Sequence, residues 1–292
     1  MHRPRHRRFF LAQATLACTA FAALTPSAHA AWRWHAEFAR GVPGGVVQVR
    51  ENNVNGTALP LGSGLGIDYV QRLRLGVTHR FAPGRAVVLR LDLVRMHGEK
   101  VFSQPVYFNG VELMPGLPVT TDTNPVNNWQ ATVLYRQRLF RNWHNRVRLD
   151  GELGFTYVGL TYNLQGTPQG ASNPTQLSGT RTLEDFITQE LPVPLVGLRL
   201  HYALTGSWAL QASFVGGHLP RLYSLRNEGG KVYVTQTNQE AELGFVHRLR
   251  DGLRLGFGWY DRYYMQHEQS NQDGNYIRMN EHGLYLRIAD RF

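Results

Sequence analysis

The side chains that could do chemistry in this chain are charged residues placed at every second position of otherwise apolar segments. Residues two apart in an extended strand point to the same side, so each segment presents its charges on one face. The set contains ten arginines and seven acids. Its members are Arg33, Glu37, Asp68, Arg72, Arg74, Arg90, Asp92, Arg136, Arg138, Arg148, Asp150, Glu152, Arg199, Glu240, Glu242, Arg254 and Arg287. Charges taken out of bulk water must be paired or hydrated. The set therefore predicts either an ion-pair network or a water-filled path lined by cations.

A second group of polar residues lies in or beside the connections between these segments and could form a catalytic site. A hydrolase needs a nucleophile or base that a second group holds in position. The candidates are His97, Glu99, Glu184, Asp185, His218, His267 and Glu268. No His-x-Ser, Asp-x-Asp or Asp-x-His pattern occurs after residue 30, and solvated polar residues are ordinary in connections. We predict that the protein is not an enzyme, with a hydrolase built from these residues as an alternative.

Metal, cofactor and thiol chemistry have no recognisable pattern in the chain. The single cysteine is Cys18, and neither a zinc-type ligand spacing nor a glycine-rich phosphate loop occurs. Glu240 and Glu242 share one strand face and could act as paired carboxylates, but the many arginines favour ion pairing. We expect no cofactor, no metal and no nucleic-acid partner.

Ten alternating segments carry these residues and predict ten strands. They cover 32–40, 65–80, 86–97, 128–139, 147–161, 195–204, 208–216, 236–249, 253–262 and 277–292. Short turns alternate with long polar connections, which cover 41–63, 98–126, 163–182, 217–231 and 264–275. This alternation is typical of a transmembrane barrel. The fold prediction is all-β, a transmembrane antiparallel up-and-down β-barrel over 31–292 with about ten strands. Eight or twelve strands remain possible, because Pro192 and Pro194 obscure the sixth segment.

The opposite face of each segment is apolar and is flanked by aromatic residues. Leu73, Leu75 and Val77 form one such face. Aromatic residues fall at both ends of the segments, and they are Trp32, Phe81, Trp208 and Phe292 on the short-turn side and Tyr69, Trp129, Tyr157 and Trp259 on the other. An aliphatic band between two aromatic girdles is the pattern of a lipid-facing surface.

The first thirty residues predict a signal peptide that is removed before Ala31. Four arginines precede an apolar stretch from Phe9 to Leu24, and Ala28-His29-Ala30 has small residues where a signal peptidase cuts. The segment carries four Arg and no acid, so its removal changes the formal charge from +10 to +6. It also removes the only cysteine. An exported chain is expected.

The last segment alternates Leu284, Leu286 and Ile288 with polar residues and ends on Phe292. In a chain with an export signal, this segment resembles the closing strand of bacterial outer-membrane β-barrel proteins. The resemblance implies that Phe292 is an assembly signal for the barrel assembly machinery. It also implies outer-membrane localisation, delivery by periplasmic chaperones, and contact with outer-membrane lipids and lipopolysaccharide.

The functional prediction follows from strand number and charge. The lumen of an eight-stranded barrel is just filled by side chains, and that of a sixteen-stranded barrel is an aqueous channel. A ten-stranded barrel lies between these two cases. Arginine exceeds acid in the charged set, mostly toward the short turns. The leading interpretation is a narrow, porin-like passive channel with anion preference. The alternatives are a filled structural or adhesive barrel that acts through its outer loops, and the hydrolase named above.

Overall fold

The computed structural model describes residues 31–291 except 52–53, 109–110, 124–127, 143, 145, 161, 167–180, 186–190, 224–230, 250–251 and 272–273. The predicted signal peptide and the assembly signal Phe292 therefore lie outside the described residues. Ten long strands form the wall of a barrel. They are β1 (Ala31–Glu51), β2 (Ile67–Ala82), β3 (Arg85–Val101), β4 (Trp129–Arg141), β5 (Val147–Gly159), β6 (Val193–Ala203), β7 (Trp208–Tyr223), β8 (Tyr233–Arg248), β9 (Arg254–Gln269) and β10 (Gly274–Arg291).

The barrel is closed and every pairing in its wall is antiparallel. Each strand pairs with the next one in the chain, and β1 completes the ring by pairing with β10. This last pair runs from Arg33 opposite Arg291 to Arg50 opposite Gly274. The predicted all-β up-and-down barrel with ten strands is confirmed, and the counts of eight and twelve are wrong. Among the described residues, no helix is long and apolar enough to cross a membrane.

The strands extend further toward the long connections than the alternation predicts. β1 ends at Glu51 rather than near residue 40, and β9 ends at Gln269 rather than near residue 262. Outside the lipid the apolar alternation fades while the backbone pairing continues, so the pattern marks only the part of each strand that faces lipid. Short strands occupy other parts of these connections: Val54–Asn55, Leu59–Pro60, Val106–Phe108, Val111–Leu113, Pro118–Thr123, Tyr162–Gly166 and Arg181–Asp185.

The outer surface of the wall carries the predicted apolar band. Leu284 is 69% exposed and Leu153 is 59% exposed, values that suit contact with lipid rather than water. On the short-turn side, the rings of Trp32 and His79 lie 4.2 Å apart between their centroids. On the other side, Trp129 stacks on Tyr157 with centroids 5.6 Å apart. The aromatic residues thus pack in pairs across neighbouring strands at both borders of the band.

The interior on the long-connection side is filled by apolar side chains, which the sequence analysis did not predict. Leu61, on the segment between β1 and β2, is fully buried, and so is Phe108 from a short strand after β3. The backbone of this segment pairs with β1, with Val47 opposite Leu59, and Leu61 N–H donates to Gly45 O. We name this cluster the apolar cap; it comprises Val47, Val49, Leu59, Leu61, Leu65, Ile67, Val70, Val94, Met96, Val106, Phe108, Leu113, Val119, Val158, Leu160, Tyr264 and Ile277.

Candidate functional site

The middle of the lumen is organised around Arg74, which lies on β2 and is only 2% exposed. Its Nε donates to Asp92 Oδ1 over 2.6 Å, and one terminal nitrogen donates to Asp92 Oδ2 over 3.0 Å. Asp92 is the residue opposite Arg74 on β3. The terminal nitrogens also reach Glu240 Oε2 and Glu242 Oε1 on β8, each at 2.5 Å. One guanidinium therefore connects two adjacent strands to a third strand elsewhere in the wall.

Further arginines share the same carboxylates. Arg287 on β10 donates to Glu37 Oε2 over 2.6 Å and to Glu242 Oε2 over 2.7 Å. Arg90 donates to Glu240 Oε1 over 3.0 Å. Because each of these carboxylates accepts from arginine, the charges compensate one another in a largely buried part of the lumen. Glu240 and Glu242 are thus ion-paired and not available as free acid and base.

A second ion pair lies between this network and the apolar cap. Arg72, 2% exposed, pairs with Glu281, which is fully buried. The Tyr260 hydroxyl donates to Glu281 Oε1 over 2.5 Å. Arg262, opposite Glu281 on the neighbouring strand, lies 3.4 Å from Glu240 Oε2 and hydrogen-bonds Gln130. We name the whole set the central belt; it comprises Arg72, Arg74, Arg90, Arg262, Arg287, Glu37, Asp92, Glu240, Glu242 and Glu281. Five cations and five anions make it neutral.

A cavity of about 150 Å³ occupies the lumen on the short-turn side of the belt. We name it the turn-side vestibule; its half-buried arginines are Arg33, Arg80, Arg136, Arg138, Arg148, Arg199 and Arg254, and its acids are Asp150 and Glu152. Among these residues, seven cations against two anions leave an excess of five positive charges, and the exposed Arg85 also borders the cavity. Arg74, Arg90, Arg287, Glu240 and Glu242 also border the cavity and so form its inner end.

Only part of the vestibule is paired. Arg136 contacts Glu152 at 2.7 Å and Arg148 contacts Asp150 at 3.0 Å. Arg199 donates to the neutral Gln211 over 3.0 Å. Within the described part of the chain, no acid lies within 4.0 Å of the guanidiniums of the other four arginines, which are Arg33, Arg80, Arg138 and Arg254.

The structure brings together sixteen of the seventeen charged residues that the sequence pattern grouped. Eight lie in the belt and eight border the vestibule. Asp68 is the exception, and its placement in the lumen is wrong. The β2–β3 pairing is irregular between Ile67 and Val70, so both apolar side chains are buried and Asp68 is exposed. A bulge of this kind shifts the alternation by one residue.

Sequence reasoning missed Arg80, Arg262 and Glu281. Arg262 fell at the predicted end of a strand, and Glu281 fell near the predicted start of the next. Neither residue was therefore assigned to the lumen. A signal was present, because Arg262 has the parity of Arg254 and Glu281 has the parity of Arg287. Extending the alternation past the lipid-facing part of β9 and β10 would have included both residues.

The residues proposed for a hydrolase do not converge on a catalytic arrangement among the described residues. His97 Nδ1 lies 3.9 Å from Asp122 Oδ1, beyond hydrogen-bond reach, and both side chains are about half exposed. His218 contacts the Thr237 hydroxyl at 3.0 Å, and His267 packs edge-on against Tyr276. The side chains of Glu184 and Asp185 lie outside the described residues. No group of three or more metal-ligating side chains occurs in the described ranges.

No family model matches the chain, and no curated protein is similar to it. Solved structures show distant similarity. The outer membrane protease OmpT from Escherichia coli has 11% identity and a TM-score of 0.49, covering 89% of this chain and 97% of that one. The outer membrane protein OprG from Pseudomonas aeruginosa has 10% identity and a TM-score of 0.36, with coverages of 90% and 95%. The translocator domain of the autotransporter NalP from Neisseria meningitidis has 12% identity and a TM-score of 0.35, with coverages of 97% and 95%.

These similarities bear on neither activity nor ligand. The strand pairings and the exposed apolar side chains of this chain are enough to establish a closed barrel with an apolar outer band. The architecture is that of bacterial outer-membrane β-barrel proteins.

Proposed function

We propose that this protein is an integral outer-membrane barrel whose lumen is filled, and that it serves a structural or adhesive role through the sheet and loops on its long-connection side. The observation that carries the proposal is the stacking of the apolar cap on the central belt. Leu61 and Phe108 in the cap are fully buried, and Arg72 and Arg74 in the belt are 2% exposed. A solute would have to displace both layers, and an ion would lose its hydration on the way, which costs several kcal/mol or more.

The length of the strands supports a role outside the lipid. β10 has 18 residues, which at about 3.3 Å per residue and a tilt near 40° spans roughly 45 Å along the membrane normal. The apolar band of such barrels is about 25 Å tall. The wall therefore continues well past the lipid as a paired sheet, and this sheet supports the connections as a rigid platform. β6, with 11 residues, is the shortest of the ten described wall strands.

Bilayer recording tests the proposal. The folded, purified barrel should give no conductance steps, while its incorporation is verified by flotation of the same vesicles and by faster gel migration before heating. Regular steps from the wild-type protein would overturn the filled-barrel proposal. Recovery of the unheated protein in a soluble fraction without detergent would overturn the membrane location.

The second candidate is the narrow passive channel with anion preference, and the turn-side vestibule favours it. Its excess of five positive charges would attract anions from the short-turn side. Conduction requires an alternative arrangement of the belt and the cap. A reversal potential that indicates anion selectivity would distinguish this channel from nonspecific leakage. A hydrolase has no comparable support, because none of the three candidate histidines, His97, His218 and His267, is hydrogen-bonded to an acid among the described residues.

A further inference from the structure

We propose that the turn-side vestibule is a binding site for a small multivalent oxyanion, such as a diphosphate, a phosphate ester or a tricarboxylate. This inference goes beyond the proposed function and does not rest on it, because a site that opens on the short-turn side can be occupied whether or not the lumen conducts. Cavity, charge and unpaired donors support it independently.

The cavity has the size and the exposure of a ligand site. A water molecule needs roughly 10–15 Å³ of comparable volume, so about 150 Å³ holds a diphosphate or a tricarboxylate. Ala31, Gly84 and Arg85 border it at strand ends and at the β2–β3 turn. Its inner end is closed by the belt. A ligand can therefore be enclosed on most sides and still reach the site from the short-turn side.

The charge of the vestibule selects an anion with several charges. The excess is five, and acids compensate only Arg136 and Arg148. Like charges confined in a poorly hydrated space repel one another, so a bound polyanion relieves an unfavourable interaction in addition to forming new ones. A monovalent halide would neutralise only a fifth of the excess. A ligand with three or four charges matches the site much better.

The hydrogen-bond donors of the vestibule are arginine N–H groups, several of them unpaired, and they favour a ligand with oxygen acceptors. Arginine presents a planar fork that matches phosphate and carboxylate oxygens. Arg33, Arg80 and Arg254 have no acid partner in the described chain. The Nε atoms of Arg138 and Arg90 are buried without a hydrogen-bond partner, and buried donors of this kind are normally satisfied. The vestibule thus holds several arginine donors that an oxyanion could satisfy.

Titration of the folded barrel with pyrophosphate by calorimetry, in detergent at low ionic strength, tests the proposal. We expect one pyrophosphate per barrel, competition by citrate, and weaker binding of inorganic phosphate. The citrate arm distinguishes a carboxylate ligand from a phosphate ligand, and preference for either supports an oxyanion site. No saturable binding, or binding that chloride at an equal concentration abolishes, would overturn the proposal.

Variants separate this site from general attraction between charges. Arg33→Gln and Arg254→Gln should each weaken pyrophosphate binding about tenfold or more, as expected for the loss of a hydrogen-bonded charge. Arg95→Gln is the matched control, since Arg95 is exposed on β3 and does not border the cavity. An equal loss in the control would overturn the assignment.

One variant works in the opposite direction. Glu152→Gln removes the acid that compensates Arg136 and should strengthen binding severalfold. Unchanged or weaker binding by a Glu152→Gln barrel that keeps its heat-modifiable gel shift would also count against the site. This gain-of-affinity test remains decisive if an arginine variant fails to fold.

Discussion

The central belt and the turn-side vestibule are made of the same residue types at the same spacing, yet they differ in net charge and in the space that they enclose. The belt balances five cations with five anions, and its core is almost fully buried. The vestibule has seven half-buried cations against two anions and encloses about 150 Å³. The difference in net charge depends on which strands contribute acidic residues to the belt and which contribute them to the vestibule. Arginine content alone therefore does not tell a sealed lumen from a binding chamber.

The largest expected effect comes from removing the centre of the belt. Arg74→Ala leaves Asp92, Glu240 and Glu242 without their shared guanidinium, and breaking a buried charge network typically costs about 3–5 kcal/mol of folding free energy. Urea unfolding in micelles, followed by tryptophan fluorescence, measures this loss. Arg138→Ala in the vestibule is the control and should cost little. Equal losses for the two variants would remove the distinction between belt and vestibule.

Removing one belt acid should have a smaller effect. Glu242→Gln takes a partner from Arg74 and from Arg287, but Arg74 keeps Asp92 and Glu240 and Arg287 keeps Glu37. We expect a loss of about 2 kcal/mol, the order of one buried hydrogen bond to a charged group. The same unfolding assay measures it. A loss as large as that of Arg74→Ala would mean that the belt fails as a unit.

Neutralising an unpaired vestibule arginine should raise stability. Arg254→Ala removes one of several repelling cations, so the free energy of unfolding should increase by up to about 1 kcal/mol at low salt. Near 1 M salt, where the screening length is roughly 3 Å, the gain should vanish. Unfolding curves at the two salt concentrations check this prediction, and Arg95→Ala serves as the exposed control. A gain that persists at high salt would indicate a cause other than charge repulsion.

The smallest effect is expected at Asp68. Its side chain is exposed beside the irregular pairing of β2, so Asp68→Ala should change stability by no more than about 0.5 kcal/mol. A loss above 1 kcal/mol in the unfolding assay would place Asp68 back among the lumen charges.

The sequence predicted the strand number, the lipid-facing band and most of the lumen charges, because all three follow from a period of two. The prediction failed where that period is interrupted, and where the two faces of a strand do not differ in polarity. The irregular pairing between Ile67 and Val70 reversed the side on which Asp68 lies. Arg262 and Glu281 lie where lipid no longer imposes an apolar outer face.

The apolar cap was missed for another reason. Leu61 and Phe108 come from segments that the alternation classed as long polar connections. Their inward position depends on packing within the apolar cap, which includes residues far away in the chain such as Tyr264 and Ile277. No local pattern encodes those contacts.

The contacts of Arg74 with three acids also have a kinetic consequence. Asp92 is 18 residues away, but Glu240 and Glu242 are 166 and 168 residues further along the chain, and Arg287 follows later still. The belt can therefore be completed only when the last strands have joined the first ones. Contacts between such distant parts of a chain form slowly, and interactions that are absent from the transition state mainly slow unfolding. The belt would then form after ring closure, and its main effect would be to slow the reopening of an assembled barrel.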